Sequence, residues 1–188
     1  MTILDLCAYL GLAAVGAATL NMLLGLLIAL RYSPLRLWPH RHINIFRLHN
    51  WTAYIVLLLI VLHPAVLLLG ASTHFRWNDV LLPIHSPVQP RLNTVGAIGL
   101  YGLLIVIVTS IFRLQMARPL WKKLHFLVFP AFVLMFFHSM FADPMLSSGK
   151  ADLLDGGKVF VEICFAIALA TSTLRVRTRQ HGFRPRAR

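Results

Sequence analysis

The chain is built from long apolar runs separated by short polar segments, with little residue-by-residue alternation. A helix rising about 1.5 Å per residue needs about 20 apolar residues to cross a bilayer core. Five runs approach or exceed that length: residues 3–30, 48–70, 94–112, 124–141 and 159–174. The pattern predicts an all-α polytopic membrane bundle of five transmembrane helices over residues 1–175, followed by a basic tail at 176–188. The first run is long enough to tilt. It has no basic start and no clear small-residue cleavage site, so it is expected to be a retained span and not a signal peptide. No tandem repeat of 20–50 residues and no low-complexity linker breaks the pattern.

Composition agrees with this reading. Of the 188 residues, 58% are hydrophobic and 13% charged, against about 45–50% and about 25% in soluble domains. That excludes a soluble globular domain, a disordered chain and a collagen-like one, and two cysteines are too few for a disulfide scaffold. The net charge of +12 matters through its placement. Arg31, Arg36, Arg41, Arg47, Arg113, Arg118, Lys122, Lys123 and the six arginines from Arg175 onward put 14 of 18 basic residues on one side of the spans. The other side holds Arg76, Arg91, Lys150 and Lys158 with five aspartates. The positive-inside rule then predicts an external N-terminus and a cytoplasmic C-terminus. The charge reports topology and contact with anionic lipid headgroups. No motif accompanies the basic tail that would make nucleic acid a partner.

Four of the nine histidines lie in or at the ends of apolar runs. His49 and His63 are 14 residues apart in the second run, and His125 and His138 are 13 apart in the fourth. An ionisable side chain inside a membrane helix is costly and marks a functional site by default. These spacings correspond to roughly 21 and 20 Å of helix. Both runs cross in the same direction, so His49 is level with His125 and His63 with His138. Two imidazoles from facing helices at each level suit an iron porphyrin with two axial histidines, and two levels make two haems stacked in the bundle core. Fourteen residues at about 100° return to within roughly 40° of the starting face, whereas thirteen miss it by roughly 140°. Either His125 and His138 reach their haems from different sides of the helix, or the helix is distorted, and Pro130 lies between them to kink it.

Other roles for these histidines are interhelical hydrogen bonding and proton relay. A relay normally wants carboxylates within the spans, where Glu162 is the one candidate. Ligation of a single ion is disfavoured, because the pairs are too far apart to share one and no Cys or Asp joins them.

The segments Leu48-His49-Asn50-Trp51-Thr52-Ala53-Tyr54 through His63-Pro64, and Arg118-Pro119-Leu120-Trp121-Lys122-Lys123-Leu124-His125, resemble the ferric reductase-like transmembrane domain, which occurs in ferric reductases, the membrane half of NADPH oxidases and bacterial relatives. The resemblance covers about residues 10–175 and implies that His49 and His125 hold the iron of an inner b-type haem, and His63 and His138 that of an outer one. It implies a multi-pass protein of the cell membrane, the inner membrane in bacteria, that acts as an oxidoreductase component. That domain commonly has six spans where five are counted here, and commonly continues into a flavin- and nicotinamide-binding half. This sequence ends at Arg188 with no Gly-x-Gly-x-x-Gly segment. FAD or FMN and NAD(P)H are therefore expected only through a partner, a cytoplasmic flavoprotein reductase, with a quinol as the other possible donor. The external acceptor would be a ferric chelate, oxygen or a periplasmic redox protein. A quinone-linked cytochrome b, which also carries two histidine pairs on parallel helices, is a second reading. A haem-free transporter or assembly protein with structural histidines is a third.

Supporting residues follow from the same picture. Haem propionates want cations: Arg47 and Lys122 stand near the inner pair in sequence, Arg76 and Arg91 near the outer side, with interfacial anchoring as the alternative. Phe132 and Val56 fall midway between the levels, to fill the space between macrocycles or simply to pack. Gly11, Gly16, Gly96, Gly99 and Gly102 permit close approach of helices or porphyrin. Asn21 is a lone polar residue expected to bond within the bundle. His74, Trp77 and His85 in the outer loop either cap the outer haem and bind an acceptor or are solvated, and His40 and His42 are read as solvated. Cys7 and Cys164 are expected to be free buried thiols.

Overall fold

The computed structural model describes residues 2–30, 44–70, 74–143 and 155–180, the side chains of 178–180 excepted. His40, His42, Lys150 and the last eight residues lie outside the described set.

Each helix begins where the sequence supplies a local start. Helix α1 (Ile3–Ala29) opens on a capping box: the Asp5 amide donates to Thr2 Oγ1 at 3.1 Å, and the Thr2 amide to Asp5 Oδ2 at 2.7 Å. Helix α2 (Ile45–Ala65) starts on Asn44, whose Oδ1 accepts the Arg47 amide at 3.1 Å, and ends in a tighter 3-10 turn at Val66–Leu69 just after Pro64. The connection that follows folds into the short α3 (Trp77–Leu81) and a 3-10 turn at Pro83–His85. Helix α4 (Pro90–Ile111) starts on proline, whose missing N–H would have no helical partner there. Helices α5 (Arg118–His125) and α6 (Val128–Phe141) follow, and α7 (Gly156–Gln180) starts behind Asp155, which accepts the Lys158 amide on its carbonyl at 2.9 Å. Five stretches are long and apolar enough to span a membrane: Ile3–Ala29, Ile45–Leu69, Pro90–Ile111, Arg118–Phe141 and Gly156–Arg177. The fifth helix runs beyond the expected 174, because arginine and threonine continue a helix while their polar ends reach the interface.

The fourth span is interrupted directly after His125. Pro130 has no N–H to offer the carbonyl four residues earlier, Phe126, and its ring crowds that carbonyl. The Phe126 carbonyl takes the Phe129 amide instead, at 3.2 Å, and the Leu127 amide bonds Leu124 at 3.0 Å. The distortion therefore sits one turn before the proline. Three or four residues wound at about 120° instead of about 100° recover roughly 60–80° of the roughly 140° mismatch between His125 and His138.

The helices pack as two antiparallel hairpins, α1 against α2 and α4 against α6, with α7 against α1 and α6. Helices α2 and α6 face each other without a close backbone interface. One stripe of α1 faces α2 at positions 7, 11, 14, 18, 21 and 25, and α4 carries the same spacing at 92, 96, 99, 103, 106 and 110. The core between the hairpins holds Ala14, Ala18, Met22, Val56, Ile60, Leu103, Ala131, Phe132 and Ala168. Phe132 stacks on Phe165 of α7 with ring centres 6.3 Å apart, and Phe165 on Phe136 at 4.0 Å. Large apolar side chains such as Leu58, Ile98, Phe137 and Leu169 lie exposed on the outer surface, as a lipid-facing shell requires.

Candidate functional site

The four membrane histidines meet in pairs across the gap between α2 and the α5–α6 span. The rings of His49 and His125 have centres 6.5 Å apart with planes at 71°, and those of His63 and His138 are 6.2 Å apart at 77°. All four are half-buried. Both pairings are those expected from residue level.

Every Nδ1 atom has a hydrogen-bond partner. His49 Nδ1 lies 3.0 Å from the Asn21 carbonyl, His63 Nδ1 2.8 Å from the Cys7 carbonyl, and His138 Nδ1 2.9 Å from the Leu92 carbonyl. A carbonyl only accepts, so in each case Nδ1–H donates. His125 Nδ1 lies 3.2 Å from Ser110 Oγ, whose own proton goes to the Val106 carbonyl at 2.6 Å, so His125 donates too. A neutral imidazole that donates from Nδ1 carries a bare lone pair on Nε2, the state in which histidine binds a metal.

Glycines give the rings access to those carbonyls. In a helix the carbonyl of residue i points at the amide of i+4, so a side chain at i+4 flanks it. Cys7, Asn21 and Leu92 are each followed four residues later by glycine: Gly11, Gly25 and Gly96. A Cβ on Gly11 would lie 3.0 Å from His63, one on Gly25 3.2 Å from His49, and one on Gly96 2.8 Å from His138. Gly11 and Gly96 stood out in the sequence for close approach. Gly25 did not, although its 14-residue distance from Gly11 repeats the His49–His63 spacing. Gly99 and Gly102 pack on Ala131 and its neighbours, a helix–helix role, and Gly16 meets Phe160.

Asn21 grips His49 from two directions. Its backbone carbonyl takes the ring, while its Nδ2 donates to the His49 carbonyl at 2.6 Å and to Thr52 Oγ1 at 2.7 Å. Cys7 Sγ donates to the His63 carbonyl at 3.2 Å. Trp121 lies over His125, ring centres 5.2 Å apart and planes at 31°. Cys7 and Cys164 are free and buried.

At the level of His63 and His138 a partly open cavity of about 110 Å³ is lined by His63, His138, Gly11, Gly96, Met135 and Tyr101, together with Asp79 and Val80 of α3. The Tyr101 hydroxyl donates to the Leu81 carbonyl and fastens α3 in place. Arg47, Lys122, Arg76 and Arg91 are exposed, as are His74, Trp77 and His85 of the connection between α2 and α4. Glu162 is exposed on α7 and so offers no interior carboxylate for a relay. Among the described residues no three His, Cys, Asp or Glu side chains converge on one point. Each pair thus presents two imidazole nitrogens across the gap between the spans.

Residues 14–136 match the family described as ferric reductase like transmembrane component. The chain belongs to that family. The match runs from α1 into α6 and takes in His49, His63 and His125, ending two residues before His138. No curated protein and no solved structure matches the chain. As a member of the ferric reductase-like transmembrane family, the chain is a multi-pass membrane protein of a class that carries electrons across membranes, generally binds haem and works with a separate redox partner.

Proposed function

We propose that the protein conducts electrons across the membrane through two b-type haems, the inner held by His49 and His125 and the outer by His63 and His138. The observation that carries this is the geometry of the two pairs. An axial bond of about 2 Å on each side, plus about 1 Å from each nitrogen to its ring centre, sets two axial imidazoles roughly 6 Å apart. The pairs stand at 6.5 and 6.2 Å, with every Nδ1 engaged elsewhere. A macrocycle would lie between α2 and α6, where the cavity beside His63 and His138 already separates the two rings.

When bound, the two haems would supply one-electron carriers at the two histidine levels, which lie roughly 21 Å apart measured along α2. The four histidines would fill both axial positions of each haem, which favours outer-sphere electron transfer over chemistry at the iron. Asn21, Gly11, Gly25 and Gly96 hold the ring orientations. Phe132 fills the core between the levels. Arg47 and Lys122, exposed at the proposed inner end, are the cations that would meet propionates there.

The basic segments support the direction: 14 of 18 cations lie on the side assigned to the cytoplasm. The donor there is a flavoprotein carrying FAD or FMN and oxidising NAD(P)H, with an acidic face toward the basic one, or a quinol. The acceptor is external: a ferric chelate, oxygen or a periplasmic redox protein. In a bacterium the proposed location is the inner membrane.

The test is the absorption spectrum of the protein purified in mild detergent, oxidised and dithionite-reduced, with a pyridine haemochrome count. Two low-spin b haems per chain are expected, falling toward one in His63→Ala or His138→Ala. A colourless protein from haem-replete cells overturns the proposal.

A further inference from the structure

Ser110 departs from the arrangement that the other three histidines share. His63, His49 and His138 reach a backbone carbonyl over a glycine four residues further along the opposing helix. On α4 the corresponding residue, 14 after Gly96, is Ser110. Its hydroxyl donates to the Val106 carbonyl at 2.6 Å, stands 3.2 Å from His125 Nδ1, and accepts the Trp121 Nε1–H at 3.5 Å. A serine in a membrane helix often bonds the carbonyl four residues back with no further purpose. Thr109 beside it does so at 2.6 Å. Ser110 differs in that two ring N–H groups converge on its oxygen, one of them from a member of a paired histidine set.

We propose that Ser110 is a positioning residue for His125, and that it makes the inner pair electronically distinct from the outer one. This rests on the reading of the four histidines as haem ligands. A hydroxyl shared with Trp121 is a weaker acceptor for Nδ1–H than a backbone carbonyl, and a histidine whose Nδ1–H is bound less strongly donates less electron density to a bound metal. His125 is thus the weakest axial donor of the four. The haem it holds is more easily reduced than identical ligation alone would make it.

The experiment is a redox titration of the full-length, haem-loaded protein, followed by optical and electron paramagnetic resonance spectra, for the wild type, Ser110→Ala, Ser110→Thr and Trp121→Phe. Ser110→Ala keeps a Cβ in place and removes only the hydroxyl. It is expected to raise one of the two midpoint potentials and leave the other unmoved, with Ser110→Thr returning the first to its wild-type value. Trp121→Phe frees the hydroxyl from its second donor, and is expected to lower the same potential. The proposal is overturned if Ser110→Ala and Trp121→Phe leave both potentials unchanged, or if either variant shifts both together. Should Ser110→Ala not fold, the Trp121→Phe shift decides alone. The haem count separates the two readings: a wild type without haem removes the proposed function as well, whereas two haems with potentials insensitive to Ser110 remove only this inference.

Discussion

A side chain on Gly96 would place its Cβ 2.8 Å from Nδ1 of His138, in the path of the hydrogen bond from that ring to the Leu92 carbonyl. In an open helix, Gly→Ala gains about 1 kcal/mol from propensity. Here the overlap outweighs that gain, because overpacking a tight site costs about 1–3 kcal/mol. Gly96→Ala is expected to lower thermal stability in detergent and to cost one haem per chain. Gly156→Ala, with nothing within 4 Å of the added atom, is the control and should leave both unchanged. Equal behaviour of the two variants would mean that the notch at Gly96 is incidental.

Asn21 is the most highly connected polar side chain of α1, with bonds of 2.6 and 2.7 Å to His49 and Thr52. Asn21→Ala removes both and is expected to cost about 1–2 kcal/mol, with broadening of the inner-haem signal only. The backbone carbonyl that accepts the His49 ring remains, so haem should be retained. A variant with wild-type melting and spectra would show that the clamp adds nothing.

The interplanar angles of 71° and 77° within the pairs predict a magnetic signature. Nearly perpendicular axial imidazoles leave two iron d orbitals close in energy. The low-spin ferric spectrum should then show a single large-g feature per haem and not three well-spread g values. Three well-resolved g values from both haems would show that the rings rotate toward parallel.

The break after His125 is caused by Pro130, and it partly corrects the phase of the 13-residue spacing. Pro130→Ala restores a straight ladder and should turn His125 away from the face used by His138, with loss of haem from one level. Adding one alanine after Leu127 to that variant gives the 14-residue spacing of α2 and should restore binding. Recovery of two haems without the insertion would assign the phase to side-chain rotamers instead.

Topology can be read chemically against a quiet background, since Cys7 and Cys164 are buried. An impermeant maleimide added to intact cells should label Trp77→Cys, and should label Arg118→Cys only after permeabilisation. The reverse pattern would invert the proposed direction of electron flow.

The five spans and the pairing of histidines by level were legible along the chain, because both depend on local quantities: apolar length, rise per residue and the sign of flanking charge. Asn21 could likewise be expected to bond inside the bundle, since a lone amide in a membrane helix has nowhere else to go. The partners of the rings were not legible. Gly25 and Ser110 look like ordinary small residues of apolar helices until another helix brings a histidine against them. The internal symmetry of the two hairpins was hidden for a related reason. The stripes at positions 7–25 and 92–110 share spacing but only one identical residue, Gly11 against Gly96. What repeats is the backbone carbonyl, which every residue type carries and no sequence pattern records. The chain alone therefore determined where the histidines stand along the membrane normal. Only the tertiary structure decided which nitrogen of each ring is left free, because that depends on the acceptor across the helix interface.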